Sequence, residues 1–241
     1  MPTCTNRRHR PLFPALLLAL ALPLAQHEQH AWGFGWLTKK PEAKQTAKQV
    51  AGSKIQVNSL PLKEGDIIFH QSRSSQSEAI RIATNSRFNH TAILIHHKGG
   101  LAVLEAVQPV RITPVEEFVR RGGGHFVIKR LRDHQAVLTP QVLQKLRERG
   151  LTYVGKNYDL YFRWDDARIY CSELVWKLYK DITGLEVGKL QKPSDLHLDN
   201  PVVQKLIKSR YVEMAEIPVN EPIISPQSIY DSDRLITVYE Q

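Results

Sequence analysis

Cys171, His90 and Glu105 are of the three residue types that together perform acyl transfer: a thiol, an imidazole and a carboxylate. Cys171 falls at the predicted start of a helix, where unpaired backbone N–H groups carry partial positive charge. Such a position lowers the pKa of a thiol, and the same N–H groups can stabilise an oxyanion. A buried, inert structural cysteine is the alternative reading of Cys171.

A base for Cys171 has to come from elsewhere in the chain, because cysteine–histidine pairs form in space and not along the sequence. His90 begins HTAILIHH (90–97), whose β-branched and aliphatic residues predict a strand. Two glycines supply a turn, and LAVLEA (101–106) predicts the returning strand. In such a hairpin Glu105 can lie beside His90 and orient the imidazole. Because the chain has ten histidines, residue type alone does not identify His90 as the base.

The elements that must position these residues are a mixture of strands and helices. The most regular helix is predicted over 169–183, with Gly184 ending it. Further strands are predicted at 66–71 and 125–131, and Thr113 before Pro114 is typical of a helix N-cap. Strands followed by strands with flanking helices indicate an α+β fold.

The N-terminal segment is predicted to be a targeting signal. Three arginines precede the short apolar run 12–25, so residues 1–25 resemble a secretory signal peptide, with an uncleaved anchor as the alternative. Residues 26–59 are interpreted as a linker, and 60–241 as the catalytic domain. The expected location is outside the cytoplasm, in the periplasm of a Gram-negative bacterium.

Composition narrows the function classes. Loss of the signal removes Cys4 and leaves Cys171 without an internal disulfide partner. It also removes three arginines and no acidic residue, lowering the formal charge from +9 to +6. The basic residues are scattered and form no nucleic-acid-binding motif. No zinc or calcium motif, phosphate loop or serine-hydrolase motif occurs, so we expect no metal and no cofactor.

Five segments occur in an order that resembles a known family. They are GDIIF (65–69), SRSSQSEAIRIAT (72–84), NHTAIL (89–94), LEAV (104–107) and GKNYDLYFRWDDARIYCSELVWKLY (155–179). The set resembles the circularly permuted branch of the NlpC-type papain-like cysteine peptidases, the YiiX/YaeF-like proteins, to which lecithin:retinol acyltransferase is more distantly related. In the unpermuted relatives the cysteine helix comes first, whereas here it comes last.

The resemblance implies a permuted papain-like fold, in which a small antiparallel sheet or half-barrel packs against helices and the nucleophile begins a helix. It assigns Cys171 as nucleophile, His90 as general base and Glu105 as the residue that orients His90. The unpermuted relatives usually carry His or a neutral amide in place of this carboxylate. Tyr158 is expected to contact substrate.

Ser74 and Gln76 lie after the first predicted strand and are further candidates for substrate contact. Three functions follow as hypotheses. The first is an exported cysteine amidase or peptidase acting on envelope amides such as cell-wall peptides. The second is a lipid-directed acyl hydrolase or acyltransferase, which an apolar groove beside Cys171 would favour over a narrow polar cleft. The third is a binding module without catalysis.

Overall fold

The structure, a computed structural model, describes residues 56–72, 75–211 and 219–241. The predicted signal peptide (1–25) and most of the predicted linker (26–59) lie outside the described residues. No helix within the described ranges is long and apolar enough to cross a bilayer.

An antiparallel sheet of six strands forms the centre of the described part of the chain. The described part of the chain has eight strands, six of which belong to this sheet. In chain order they are β1 (Ile67–His70), β2 (His90–His97), β3 (Gly100–Glu105), β4 (Arg111–Pro114), β5 (Phe126–Leu131), β6 (Asn157–Tyr158), β7 (Arg168–Ile169) and β8 (Leu235–Glu240). The order in the sheet is β4-β3-β2-β1-β5-β8, while β6 and β7 form a separate parallel pair.

Helices pack on this sheet, which confirms the predicted α+β fold of an antiparallel sheet against helices. They are α1 (Ser75–Ala83), α2 (Val115–Arg121), α3 (His134–Val137), α4 (Pro140–Leu151), α5 (Cys171–Thr183), α6 (Pro201–Arg210) and α7 (Pro226–Tyr230). Two 3₁₀ turns lie at Val57–Ser59 and Pro193–Asp195.

The two faces of the sheet belong to different apolar clusters, because successive strand side chains point to opposite faces. The cluster shared with α5 contains Ile67, Phe69, Ile93, Ile95 and Leu104. The cluster shared with α2 contains Ile68, Ala92, Leu94 and Val103. His70, His90 and Glu105 follow the alternation of the second set, so they project toward α2.

Helix α5 begins two residues later than the sequence predicts. Arg168 and Ile169 pair with Asn157 and Tyr158 as strands, and helical geometry starts at Cys171 itself. The helix ends as predicted at Gly184, whose φ of 74° is left-handed. The shift makes Cys171 the first residue of the helix, where backbone N–H groups lack intrahelical acceptors.

The predicted N-cap at Thr113 is wrong. Thr113 and Pro114 extend β4 by pairing with Val103 and Ala102, and α2 begins afterwards at Val115. Pro114 itself has extended backbone angles (φ −56°, ψ 141°), which suit a strand end as well as a helix entry. The hydroxyl of Thr113 is thereby available to the interior of the sheet.

A buried ion pair ties the start of β1 to β5. Asp66 accepts from Arg130 at 2.6 and 2.7 Å and from the Lys63 backbone N–H at 2.7 Å. The side chains are 1% and 10% exposed. Removing one member of such a pair leaves a buried charge without its partner.

We therefore expect Asp66→Ala to lower the free energy of unfolding by about 3–5 kcal/mol, measured by urea denaturation. Glu186→Ala, which removes an exposed pair with Lys180, is the control and should cost less than about 1 kcal/mol. Equal losses in the two variants would contradict this account of the Asp66–Arg130 pair.

Candidate active site

His90, at the start of β2, is held between a carboxylate and an aromatic ring. Its Nε2 lies 2.8 Å from Oε2 of Glu105, which is fully buried at the end of β3. The imidazole stacks on Phe118 of α2 with centroids 5.5 Å apart, and His70 of β1 meets it edge-on at 5.1 Å. With Nε2 bonded to Glu105, the other ring nitrogen is left for Cys171.

Cys171 lies at the opposite side of this imidazole. The thiol is buried and interacts with His90 and with the backbone N–H of Thr91. The hydroxyl of Tyr158, on β6, lies 3.9 Å from Sγ and donates to it. The structure thus brings Cys171, His90, Glu105 and Tyr158 together, as the sequence predicts, although their catalytic roles stay predictions.

The electrostatics of this group favour a thiolate–imidazolium pair. Burial alone raises the pKa of the Cys171 thiol, but the His90 hydrogen bond and charge outweigh it and bring that pKa below its ordinary value. Burial likewise opposes charge on His90, yet its bonds to Cys171 and Glu105 raise its pKa to about 9. The two partners therefore stabilise each other in their charged forms.

Glu105 is ionised despite complete burial. Desolvation raises the pKa of a buried carboxyl, but the hydrogen bond and charge of His90, the Thr113 hydroxyl and the Arg121 guanidinium bring it to about 2. Thr113 donates to Oε1 at 2.6 Å, and Arg121 of α2 contacts the same oxygen. Arg111 lies 3.5 Å from it.

His70 is a buried neutral neighbour of this charged group. Burial and the charge of His90 lower the pKa of His70 to about 3. Neither ring nitrogen has a hydrogen-bond partner among the described residues.

The first turn of α5 is fastened to a distant loop. The Tyr170 hydroxyl accepts from the backbone N–H of Ile224 at 3.0 Å, and the Ser172 hydroxyl donates to the Ile224 carbonyl at 2.7 Å. Glu173 accepts from the Tyr170 backbone N–H at 3.2 Å. These contacts fix where Cys171 stands relative to the segment that carries Ile224.

A cavity of about 100 Å³ opens beside Cys171 and is almost wholly apolar. Its walls come from α1, α6, the segment after β6 and the loop around Ile224. Representative lining residues are Ala79, Ala83, Phe162, Val203, Ile207 and Ile224. Such a lining accommodates hydrocarbon and offers few partners to a polar group.

Of the three residues predicted to contact substrate, one lines the cavity. Tyr158 lines the cavity as well as contacting Cys171. Gln76 is half-buried on α1 but does not line the cavity, although Ala79 and Ala83 of the same helix do. Ser74 lies outside the described residues.

Sequence reasoning missed the residues that surround the His90–Glu105 pair from β4 and α2, namely Thr113, Phe118 and Arg121. Thr113 was visible only as a helix-cap pattern. The others carried no local signal, because their significance depends on how α2 packs over the sheet.

A family model described as the permuted papain-like amidase enzyme, YaeF/YiiX, C92 family, matches residues 61–239. The chain belongs to this family. The match covers the sheet except for Glu240 and includes Cys171, His90, Glu105 and Tyr158, so the family assignment and the site geometry concern the same part of the molecule. The finer relationship to NlpC-type peptidases stays a prediction.

Two relatives support membership of the YaeF/YiiX family. The uncharacterized protein YiiX of Escherichia coli K12 is 41% identical over 178 residues, which are 73% of this chain and 86% of the relative. A crystal structure described as the metalloprotein YiiX of Escherichia coli O157:H7 is 42% identical, with a TM-score of 0.69. That match covers 74% of this chain and 97% of the relative.

The term metalloprotein is used of that relative alone. In the described ranges, no three His, Cys, Asp or Glu side chains are grouped as metal ligands. In particular, Nε2 of His90 and both oxygens of Glu105 are engaged with protein partners.

We expect Cys171 to react with iodoacetamide well below pH 8.5, the ordinary thiol pKa. His90→Ala should slow alkylation at pH 6.5 by about tenfold or more, because the imidazolium no longer lowers the thiol pKa. Alkylation rates from pH 5 to 10 measure this. Tyr158→Phe, which keeps His90, should cause a smaller change; a wild-type thiol with ordinary reactivity would refute the ion pair.

Proposed function

We propose that the protein is an exported cysteine hydrolase that cleaves an amide or ester bond of the cell envelope through a thioacyl intermediate. The observation that carries the proposal is the position of His90, which interacts with the Cys171 thiol and is hydrogen-bonded to Glu105 at 2.8 Å. Cys171 is the proposed nucleophile and His90 the proposed base and acid.

In the first half of the reaction the Cys171 thiolate attacks the substrate carbonyl carbon. The oxyanion that forms is stabilised by backbone N–H groups at the start of α5, and the Tyr158 hydroxyl lies 3.9 Å from Sγ. His90 imidazolium then gives its proton to the leaving nitrogen or oxygen. The bond to the leaving group breaks, and the acyl group stays on Sγ as a thioester.

In the second half water attacks the thioester. Neutral His90 takes a proton from the water, the C–S bond breaks, and the acid product leaves while the thiolate–imidazolium pair re-forms. Glu105 keeps its charge throughout, because its low pKa holds it ionised at any pH where the thiolate exists. Its part is to keep Nε2 protonated and the ring in one orientation.

The cavity favours a substrate with an apolar acyl chain over a polar cell-wall peptide. Cys171 forms part of the cavity wall, and the rest of the lining consists mainly of aliphatic and aromatic groups. A chain attached to the carbonyl would occupy it, while the leaving group would depart toward His90. A lipid-directed amide or ester hydrolase is therefore the form of the proposal that the site geometry supports better. The charge of +6 expected for the mature chain suits an anionic envelope surface.

To test this, p-nitrophenyl esters with acyl chains of two to twelve carbons should be hydrolysed with kcat/KM rising with chain length. Intact-mass measurement should find the acyl group on Cys171 and not on Cys171→Ala. His90→Ala should lower kcat by roughly 10²–10⁴-fold, the usual contribution of a general base.

Ala83→Phe should remove the gain for long chains and spare the two-carbon ester, because Ala83 lines the cavity and a phenyl ring would fill it. Ala136→Phe, on the exposed face of α3, is the matched control and should keep the wild-type profile. Cleavage of cell-wall peptides that Ala83→Phe leaves unchanged would favour the peptidase form. A protein that is never acylated would favour the binding module.

Export is a separate part of the proposal. Expression of the full chain in a Gram-negative host should yield periplasmic protein that begins near residue 26, because the three arginines and the apolar run 12–25 direct secretion. N-terminal sequencing of the fractionated protein measures this. A chain that keeps Met1 and sediments with the membrane would instead indicate an uncleaved anchor.

A further inference from the structure

The carboxylate of Glu105 divides its two oxygens between different partners. Oε2 faces His90 at 2.8 Å, while Oε1 receives the Thr113 hydroxyl and the Arg121 guanidinium. Glu105 is fully buried, and the Arg121 side chain is 32% exposed. The proposed triad is thus extended by a fourth charged group on α2.

A bare buried carboxylate would be a poor partner for a histidine that has to release its proton. It stabilises the imidazolium strongly, and an imidazolium with a very high pKa is a weak acid toward the leaving group. A cation on the far oxygen counteracts this effect, since a guanidinium–carboxylate pair has no net charge. Glu105 then keeps its hydrogen bond to Nε2 while its field at the ring is reduced.

Arg111 cannot supply this effect equally. Its side chain is 46% exposed, its Nε stands 3.5 Å from Oε1, and its Nη2 binds Glu117 at 3.0 Å. Solvent and Glu117 therefore screen its charge. Arg121 is closer to Glu105 and lies over the ring of Phe118, with 5.6 Å from Cζ to the ring centroid, on the ring that also stacks against His90.

We propose that Arg121 is a positioning residue that neutralises Glu105, so that the Glu105–Arg121 pair acts on His90 as an uncharged hydrogen-bond acceptor. The inference rests on the proposed function, because it concerns the acid strength of the proposed catalytic histidine. In the part of the chain that the structure describes, the titratable and charged groups that interact with His90 or Glu105 are His70 from β1, Arg111 from β4, Arg121 from α2 and Cys171 from α5.

The test is the pH titration of His90 by ¹⁵N NMR, together with the pH profile of Cys171 alkylation, in the full chain without substrate. In Arg121→Met the loss of a cation should raise the His90 pKa by about one pH unit. The pH at which Cys171 alkylation is half-maximal should also rise. Arg121→Lys keeps the charge, so its His90 pKa and its alkylation midpoint should both lie close to the wild-type values.

Two further variants separate this effect from a structural one. Arg120→Met, an exposed neighbour on the same helix, should leave both titrations unchanged. Glu105→Gln should lower the His90 pKa, since Arg121 is then unopposed, and the double variant Glu105→Gln/Arg121→Met should lie between the two single variants. Loss of stability alone would not produce opposite shifts.

A His90 pKa that stays in place or falls in Arg121→Met would overturn the inference. Should that variant unfold by circular dichroism, Arg121→Gln removes the same charge and carries the same expectation. An ordinary thiol and an ordinary histidine in the wild type would instead overturn the proposed function itself, so the two failures are distinguishable.

Discussion

The ionised carboxylate of Glu105, with no exposed surface, is the constraint around which the site is built. A charge in that position is tolerated only when hydrogen bonds and opposite charges compensate for lost water. His90 supplies one of these, Thr113 another and Arg121 a third. Each comes from a different element, so the site forms only when β2, β4 and α2 have all packed around the end of β3.

The other half of the site is arranged by helix α5. Its apolar face is buried on the sheet, and its first residue is the thiol, so packing of the helix and placement of Cys171 are a single event. The parallel pair of β6 and β7 sets where the helix begins and also carries Tyr158 to within 3.9 Å of the sulfur. Residues that are apart in the chain, such as Tyr158 and Cys171, are thereby brought together in the site.

Regular hydrophobic patterns made much of this arrangement predictable from sequence. The strand from His90, the glycine turn and the returning strand are local features, and they alone bring His90 and Glu105 together. The helical spacing of α5 and Gly184 is equally local. The roles of Thr113 and Arg121 were not predictable, because they depend on α2 folding back over the sheet. The cavity was not predictable either, since helices distant in sequence build its walls.

The anchoring of Tyr170 and Ser172 to Ile224 has a consequence for the order in which the site can form during synthesis. His90 and Glu105 precede Cys171 in the chain, whereas Ile224, which forms part of the cavity wall, follows it. A nascent chain made only as far as α5 therefore has the thiol, the imidazole and the carboxylate but lacks this part of the wall. The cavity beside Cys171 is complete only once the segment around Ile224 has been made and has bound the start of α5.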